Sequence, residues 1–492
     1  MLADSYKAGH FAQYPDTKRM TAYGEFRQGY GGDKEDTRVL FYGIRYVVDT
    51  FVARKWTRED VERADIFFSQ HAAPANGRYP FPKDLFLRFV EENDGYFPVT
   101  LQALPEGSCV HAHVPVYQIT AEEPYAKLVT FLETLLTMVW YPTTVATLSR
   151  RARDVIASAF EESVDGGAGS PLLGSRLHDF GFRGCTCVEQ SVIGGCAHLL
   201  NFEGSDTMSA AFYAQFELNG GKPVATSIPA TEHSVMTSWA SERDAVANMV
   251  SKYGSGIFAC VMDSYDYAKA LSELLPSVAQ EQVAQGGYMV LRPDSGDPVD
   301  CVLMALRAGE KVFGCNVNAK GFKVIRGCGV IQGDGVGLPM IGAILRAALD
   351  AGFSAENVAF GMGGGLLQKV NRDTMSFATK LCHIRYADGS ERDVMKAPKT
   401  DSGKLSLPGV LSVRRVHGLP QVFPAASGSD SATQEMLRVV YDNGPVAAAW
   451  DDFDTVKSRA ASEWAHLPKR AEALSLEIKA RMRALFPNLQ LE

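Results

Sequence analysis

The chain is predicted to be an α/β protein: an irregular α/β barrel of parallel strands, with a second β-rich α+β domain formed by the N- and C-terminal flanks. Two observations predict this. From about residue 176 onward, short apolar or β-branched runs end repeatedly in polar or glycine-rich clusters, with helical patterns between several of them. Both flanks instead mix short strand patterns with helical ones. We therefore expect a flanking domain of residues 1–150 plus 384–492 and a barrel domain of residues 151–383.

The polar clusters recur at the spacing that a strand, a loop and a helix require, which is roughly 30 residues. One residue from each cluster gives the series Asp179, Asp206, His233, Asp263, Asp294, Asp334 and Gly363. Successive members of this series are separated by 27, 27, 30, 31, 40 and 29 residues. A doubly wound open sheet is the alternative, but it usually concentrates its ligand groups at one switch point. Functional groups on nearly every strand end favour the barrel.

Local patterns place further elements around this series. The apolar run at 128–141 carries Glu133 and is too short to span a membrane, so we expect a buried helix. The predicted helices cover 128–141, 234–253, 266–275, 337–352 and, in the C-terminal flank, about 456–485. The predicted strands include 98–104 and 111–119 in the N-terminal flank, and 357–360.

The composition is that of a globular protein and argues against several classes. The sequence is 46% apolar and 22% charged, which supports a large core. Its net charge of −8 argues against nonspecific nucleic-acid binding, and no uninterrupted apolar stretch is long enough to span a membrane. The nine cysteines lack a CxxC pair and the first residues lack signal-peptide character. We therefore expect free thiols, no membrane association and a cytoplasmic location.

Polar groups of complementary chemistry would converge at the mouth of the predicted barrel. Carboxylates suit ribose hydroxyls and Mg²⁺, whereas Arg183, Arg292, Arg372 and Lys380 suit phosphates. The glycine-rich run 361–365 follows a predicted strand and would let backbone N–H groups approach a phosphate. It is not a Walker A loop, because GxxxxGK[ST] is absent. Each feature alone is common in structural roles, and only their joint placement on successive strand ends indicates a phosphate-bearing ligand.

The histidines leave a metal site open as an alternative. His111 and His113 alternate along a predicted strand, so both could face one ion. Together with His178, His233 and Asp263 they would make a barrel metallohydrolase. The pair precedes the barrel series and lacks clear further ligands, so a structural role is favoured and no metal ligands are assigned among the site residues.

Ten short blocks resemble the nicotinamide phosphoribosyltransferases, which are type II phosphoribosyltransferases. The similarity runs from the first residues to about 409, and the blocks together are far more specific than any one of them. They are DSYK (4–7), FYG (41–43), WYPTTVAT (140–147), LHDFGFRG (177–184), HLLNFEGSDT (198–207), PATEHS (229–234), DSYD (263–266), RPDSG (292–296), VIQGDGV (330–336) and FGMGGGLLQK (360–369).

The resemblance implies an irregular barrel with a β-rich domain, assembled as a homodimer with both active sites at the subunit interface. It implies transfer of ribose 5-phosphate from 5-phosphoribosyl 1-pyrophosphate to nicotinamide, which yields nicotinamide mononucleotide and pyrophosphate for NAD salvage. Mg²⁺ and ATP are the implied cofactors, with ATP hydrolysis coupled through a phosphorylated histidine. The expected partners are therefore nicotinamide, 5-phosphoribosyl 1-pyrophosphate, ATP and a second copy of the chain.

The resemblance also implies residue roles. Around nicotinamide it places Phe180 and, from the other subunit, Tyr6 on the two ring faces, Asp206 at the carboxamide, and Arg183, Ser227 and Arg292 alongside. For ribose and phosphates it implies Arg292, Asp294, Gly333, Asp334, Gly363, Gly364, Arg372 and Lys380. The implied catalytic group is His233, Asp263 and Asp294, with His233 phosphorylated and its ring oriented by Asp263 or Glu232.

Asp206 predicts the choice of base. A carboxylate accepts a hydrogen bond from an amide, whereas it would repel the carboxylate of nicotinate. Preference for nicotinamide is therefore expected, with nicotinate as the nearest alternative acceptor. Quinolinate would call for a more basic pocket. A noncatalytic homologue would be expected to have lost part of this set, yet every core motif is present.

Overall fold

The computed structural model describes residues 2–399, 402–425, 434–447, 449–487 and 489. The chain divides into two compact units: a flanking unit of residues 1–147 and 371–492, and a barrel unit of residues 148–370. The expected boundaries were 150/151 and 383/384. The second lies earlier because the strand Phe377–Tyr386 pairs with Thr17–Phe26 in the flanking unit.

The described elements are numbered in chain order. The strands are β1 Thr17–Phe26, β2 Arg38–Leu40, β3 Thr100–Ala103, β4 Cys109–His111, β5 Pro115–Glu122, β6 Leu177–Asp179, β7 Ile257–Val261, β8 Tyr288–Arg292, β9 Cys315–Val317, β10 Lys323–Ile325, β11 Cys328–Gln332, β12 Val358–Met362, β13 Phe377–Tyr386, β14 Glu391–Asp393, β15 Leu411–Val416, β16 Leu419–Pro424, β17 Gln434–Glu435 and β18 Arg438–Asp442. The α-helices are α1 Ser5–His10, α2 Ile44–Val47, α3 Arg58–Gln70, α4 Lys83–Glu92, α5 Leu128–Phe131, α6 Glu133–Thr137, α7 Trp140–Ser163, α8 Val188–Leu199, α9 Met208–Tyr213, α10 His233–Thr237, α11 Glu242–Tyr253, α12 Tyr267–Lys269, α13 Leu275–Gln285, α14 Pro298–Phe313, α15 Leu338–Asp350, α16 Gly364–Leu367, α17 Phe453–His466 and α18 Leu476–Leu485.

The barrel unit is built on a curled parallel sheet. Strands β6, β12, β11, β8 and β7 pair in that order, and every pair is parallel. Two further segments link the edge strands β6 and β7 by single parallel bridges, which are Asp179–Ser205, Gly204–Thr226 and Ala230–Ala259. The predicted irregular barrel is confirmed, and its parallel segments end at the polar clusters on which the prediction depended.

Short apolar strands with branched side chains explain this sheet. β8 reads YMVLR and β11 reads CGVIQ, and their central residues are buried. Inside the barrel unit, Ala259, Val290 and Ile331 from three neighbouring strands form a buried cluster. Phe180, the first residue after β6, packs against that cluster. The polar residues that follow each strand therefore share one end of the sheet.

The flanking unit is β-rich, as predicted. Its largest sheet has the order β14, β13, β1, β5, β3, β18, and the two ten-residue strands β1 and β13 run antiparallel. The predicted strands at 98–104 and 111–119 correspond to β3 and β5. His111 ends β4, whereas His113 has a φ of 69° and lies beyond the strand. The two histidines therefore do not alternate along one strand.

Three predicted helices are divided, which corrects the sequence assignment. The 128–141 run forms α5, α6 and the start of α7, 234–253 forms α10 and α11, and 456–485 forms α17 and α18. Capping residues explain two of the interruptions. Ser241 accepts the Asp244 N–H at the start of α11, and Ser475 accepts the Ile478 N–H at the start of α18. The predicted helix 337–352 is confirmed as α15, and 266–275 lies within a longer helical stretch.

Candidate active site

One cavity of about 960 Å³ lies at the carboxyl ends of the barrel strands. It is lined by residues from the turns after β6, β8, β11 and β12. Nine predicted site residues line it: Phe180, Arg183, Asp206, Arg292, Asp294, Gly333, Asp334, Gly363 and Gly364. Residues far apart in sequence therefore meet in one concave site, as the spacing of the clusters predicted.

A glycine in β12 and another directly after β11 make room for the Phe180 ring. A Cβ atom on Gly361 would lie 2.0 Å from Phe180 Cε2, and one on Gly333 would lie 3.2 Å from the same atom. Because nonbonded carbon atoms approach no closer than about 3.5 Å without repulsion, Gly361 tolerates no side chain while the ring is in place. The Arg292 guanidinium carbon lies 5.4 Å from the ring centroid, within cation–π range.

Asp206 follows the bridge between residues 179 and 205, and its backbone N–H donates to the Asp179 carbonyl. The Ser227 hydroxyl donates a short hydrogen bond to Asp206 Oδ1. Ser227 thus acts on the cavity through Asp206. The pair presents a carboxylate whose position is fixed by both the main chain and a neighbouring hydroxyl.

His233 begins α10 and lies between two carboxylates. Its Nε2 is 3.2 Å from Asp263 Oδ1, and its Nδ1 is 3.7 Å from Asp294 Oδ2. The His233 side chain is 45% exposed, whereas that of Asp263 is only 2% exposed. Of the two carboxylates expected to orient the ring, Asp263 contacts it, while Glu232 accepts a hydrogen bond from Ser234.

Asp263 and Asp294 are joined by further hydrogen bonds. Asp263 Oδ2 accepts the Asp294 N–H at 3.0 Å and the Ser295 hydroxyl at 2.5 Å. Asp294 Oδ1 accepts a hydrogen bond from Arg292 at 3.0 Å. The histidine and the cavity arginine are therefore connected through Asp294. Arg292 Nε is buried and has no hydrogen-bond partner among the described residues.

Three predicted residues lie in the flanking unit. Tyr6 on α1 is 55% exposed. Arg372 and Lys380 line a separate cavity of about 330 Å³, together with Arg27, Gln28, Glu133, Lys396, Lys404 and other residues of this unit. Burial lowers the pKa of Lys380. This second cavity therefore collects several cationic side chains, as a site for phosphates would require.

The sequence patterns did not predict a functional role for three residues in or next to the cavity. Gln368 and Lys369 line the cavity directly behind the glycine run. Asp179 lies beneath the Phe180 turn, where burial raises the pKa of its carboxyl to about 6. In the sequence, Asp179 only marks the end of a strand. The signal for a further role is that this carboxylate directly precedes a turn that contains glycines.

No group of three or more His, Cys, Asp or Glu side chains in the described parts of the chain is arranged to hold a metal ion. His178, one of the ligands of the alternative metallohydrolase, is buried, and its pKa is lowered by that burial. The described residues also include no helix long and apolar enough to cross a membrane.

Comparisons with known proteins agree with this geometry. A model of the nicotinate phosphoribosyltransferase (NAPRTase) family matches residues 175–445, and a model of the nicotinamide phosphoribosyltransferase N-terminal domain matches residues 1–101. The chain is 39% identical to a nicotinamide phosphoribosyltransferase of Xanthomonas campestris, over 91% of this chain and 95% of the relative. It is 29% identical to one of Acinetobacter baylyi, over 94% and 96% of the two chains.

Solved structures show the same fold. Human nicotinic acid phosphoribosyltransferase superposes with a TM-score of 0.65 at 18% identity, covering 99% of this chain and 100% of the other. Nicotinate-nucleotide pyrophosphorylase of Pyrococcus furiosus gives a TM-score of 0.60 at 14% identity, with 94% of each chain covered. The protein is a phosphoribosyltransferase, an enzyme of pentosyl transfer in NAD salvage. Within that class, the chain belongs to the nicotinate phosphoribosyltransferase family.

Proposed function

We propose that this enzyme transfers the phosphoribosyl group of 5-phosphoribosyl 1-pyrophosphate to nicotinamide, and that ATP hydrolysis drives the reaction through phosphorylation of His233. The observation that carries the choice of base is the carboxylate of Asp206 in the cavity that contains Phe180 and Arg292. The names of the two relatives described above support the same acceptor.

The base site would hold nicotinamide by its ring and its amide. Phe180 offers an aromatic face that is fixed by Gly361 and the apolar cluster beneath it, and stacking orients a ring at low entropic cost. Asp206 Oδ1 already accepts from Ser227, and its carboxylate has further acceptor capacity for a carboxamide N–H. A nicotinate carboxylate would meet a like charge there and be disfavoured.

The transfer itself is a displacement at the ribosyl C1. The ring nitrogen of nicotinamide forms the new bond to C1, while the bond from C1 to the pyrophosphate oxygen breaks and its electron pair leaves with pyrophosphate. Positive charge develops on the ribose in between, and the Asp294 and Asp334 carboxylates lining the cavity would stabilise it. Holding the weakly nucleophilic nitrogen against C1 supplies much of the rate.

The phosphate groups need cations and backbone donors. Gly363 and Gly364 line the cavity at the start of α16 and suit the 5-phosphate. Mg²⁺ characteristically binds through one or two carboxylates together with substrate phosphates. Asp294 and Asp334 would hold it, and when bound it neutralises charge on the departing pyrophosphate.

ATP would phosphorylate a ring nitrogen of His233. The bond between the γ-phosphorus and the bridging oxygen breaks, a nitrogen–phosphorus bond forms, and ADP leaves with the electron pair. Asp263 lies 3.2 Å from Nε2 and would hold the ring and stabilise its protonated form. Because Asp294 contacts both His233 and Arg292, a charge change on the imidazole would be transmitted to the cavity.

A homodimer would complete the site. In it, one protomer would present Tyr6, which is exposed on its flanking unit, to the nicotinamide bound by the other protomer. The cationic cavity around Arg372 and Lys380 would likewise contact phosphates. An apolar stripe on the barrel unit supports assembly: Met208, Phe212 and Phe216 recur every four residues and are 78%, 63% and 51% exposed.

The test is product formation from 5-phosphoribosyl 1-pyrophosphate and Mg²⁺ with either base, with and without ATP. We expect nicotinamide mononucleotide to form selectively and faster with ATP. Selective product from nicotinate would retain the family and refute the role of Asp206. Equal rates with and without ATP would refute coupling through His233. Absence of product from both bases would refute the proposed reaction.

A further inference from the structure

The turn that carries Phe180 and Arg183 is held by two side chains from different parts of the barrel unit. Asp179 Oδ1 accepts the Gly181 N–H at 2.7 Å. Gln368 Nε2, from the segment directly after α16, donates to the Gly181 carbonyl at 3.0 Å. The backbone N–H and the backbone carbonyl of Gly181 are thus both held by side chains. One of these side chains precedes the turn in sequence, and the other lies near the end of the barrel unit.

The turn from residue 181 to residue 185 packs closely against the residues at the end of α16. A Cβ atom on Gly181 would lie 2.6 Å from Leu367 Cδ1, so only glycine lets the turn approach α16 this closely. A Cβ atom on Gly184 would lie 2.8 Å from Gln368 Oε1. Gln368 Nε2 also lies 3.2 Å from Cys185 Sγ, which itself lies 3.5 Å from the Gly181 carbonyl. The whole turn from 181 to 185 therefore packs around the Gln368 carboxamide.

Asp179 also connects this turn to Asp206. Its carbonyl accepts the Asp206 N–H at 3.0 Å, while its carboxylate holds Gly181. One residue thereby sets the position of the proposed stacking aromatic and of the proposed amide acceptor. The Asp179 carboxyl is fully buried. A buried carboxyl of this kind is costly to keep, which favours a specific role over a general structural one.

We infer that Asp179 and Gln368 are positioning residues for the acceptor base: together they clamp Gly181 and so fix the Phe180–Arg183 turn against the glycine run. This inference rests on the proposed function for its kinetic consequence, since the turn would orient nicotinamide. It predicts that loosening the clamp weakens use of the base while leaving use of the phosphoribosyl donor largely intact.

The variants are Asp179→Ala and Gln368→Met, which remove the acceptor and the donor respectively without adding a charge to the cavity. Asp179→Asn keeps an acceptor oxygen and should impair the enzyme less than Asp179→Ala. The matched control is Gln282→Met, because Gln282 also donates its side-chain N–H to a glycine carbonyl, that of Gly254 at 3.2 Å, but lies on α13 and does not line the cavity.

We expect KM for nicotinamide to rise about tenfold in Asp179→Ala and in Gln368→Met, as loss of about one hydrogen bond implies. KM for 5-phosphoribosyl 1-pyrophosphate should change much less. The double variant should fall short of the product of the single effects, because both side chains hold the same residue. Equal increases in both KM values, or KM values like those of Gln282→Met, would overturn the inference.

A second readout does not depend on activity. In a Cys187→Ala background, the rate at which maleimide labels Cys185 is followed by peptide mass mapping. Loosening the turn should expose Cys185 and speed its labelling in both clamp variants but not in the Gln282→Met control. Unchanged labelling of Cys185 would refute the clamp, whichever base the enzyme uses. Faster labelling in a protein that makes no nicotinamide mononucleotide would support the clamp and refute only the proposed function.

Discussion

Replacing Gly361 by alanine tests whether this glycine exists to accommodate the Phe180 ring. The added Cβ would lie 2.0, 2.2 and 2.6 Å from three atoms of that ring. Gly361 lies in β12, and its backbone does not have the left-handed conformation that alanine resists. The substitution therefore acts through the ring contact and not through local strain.

The magnitude follows from overpacking. Forcing an additional carbon into a filled site typically costs about 1–3 kcal/mol. If the Phe180 ring moves aside to relieve this overlap, the free energy of its stacking on nicotinamide weakens by a similar amount. Since about 1.4 kcal/mol is a tenfold change, we expect kcat/KM for nicotinamide to fall roughly 5- to 160-fold.

The assay is a double-mutant cycle with Phe180→Ala, using initial rates of nicotinamide mononucleotide formation. Once the ring is absent, Gly361→Ala should cause little additional loss. The matched control is Gly342→Ala in α15, where the nearest atom to the new Cβ is 3.7 Å away. Additive effects of Gly361→Ala and Phe180→Ala would mean that Gly361 acts independently of the ring and would contradict this role.

Four further predictions concern the proposed roles. Asp206→Asn should raise the ratio of nicotinate to nicotinamide activity at least about tenfold, since a like charge is removed. His233→Ala should abolish both stimulation by ATP and acid-labile labelling from γ-labelled ATP. Because burial raises the pKa of Asp179 from 3.8 to about 6, the protonated carboxyl stabilises the fold at low pH, and this contribution is lost as pH rises through about 6. Unfolding measurements should therefore show the free energy of unfolding of Asp179→Asn rising by about 2 kcal/mol relative to that of the wild type between pH 4 and pH 7. Phe212→Asp should shift the protein from dimer to monomer in light scattering, whereas Val283→Asp, at another exposed apolar position, should not.

Each of these has a contradicting result. Unchanged base selectivity in Asp206→Asn would remove that carboxylate from recognition of the amide. An ATP effect that persists in His233→Ala would place the coupling elsewhere. A pH-independent stability difference for Asp179→Asn would mean that the carboxyl keeps its ordinary pKa in the folded state. A Phe212→Asp protein that stays dimeric would show that the stripe lies outside the interface.

Much of the fold and part of the site could be predicted from the sequence because they depend on local spacing. A unit of strand, loop and helix has a nearly fixed length, so clusters about 30 residues apart identified the strand ends. Asp206, Asp294, Asp334 and Gly363 followed from that pattern, and all of them line the cavity. The predicted helix at 337–352 was confirmed because its apolar period is uninterrupted.

The divided helices show where local spacing is insufficient. The pattern at 234–253 continues through Trp239 and the cap at Ser241, so apolar periodicity alone joins two helices that the structure separates. Similarly, His111 and His113 alternate in sequence, but the positive φ of His113 takes it off the strand.

The order of residues along the chain places particular residue types at the strand ends, and this predicts the barrel and the chemistry of its mouth. Which of those groups contact one another depends on the folded chain. Asp263 and not Glu232 contacts His233, Gly361 leaves space for Phe180, and Gln368 and Asp179 hold Gly181. The tertiary structure also assigned Arg372 and Lys380 to the flanking unit, because the pairing of β13 with β1 is a long-range contact. Local spacing sets where an element begins and ends, whereas contacts between distant residues arise only when the strands pair and close into a barrel.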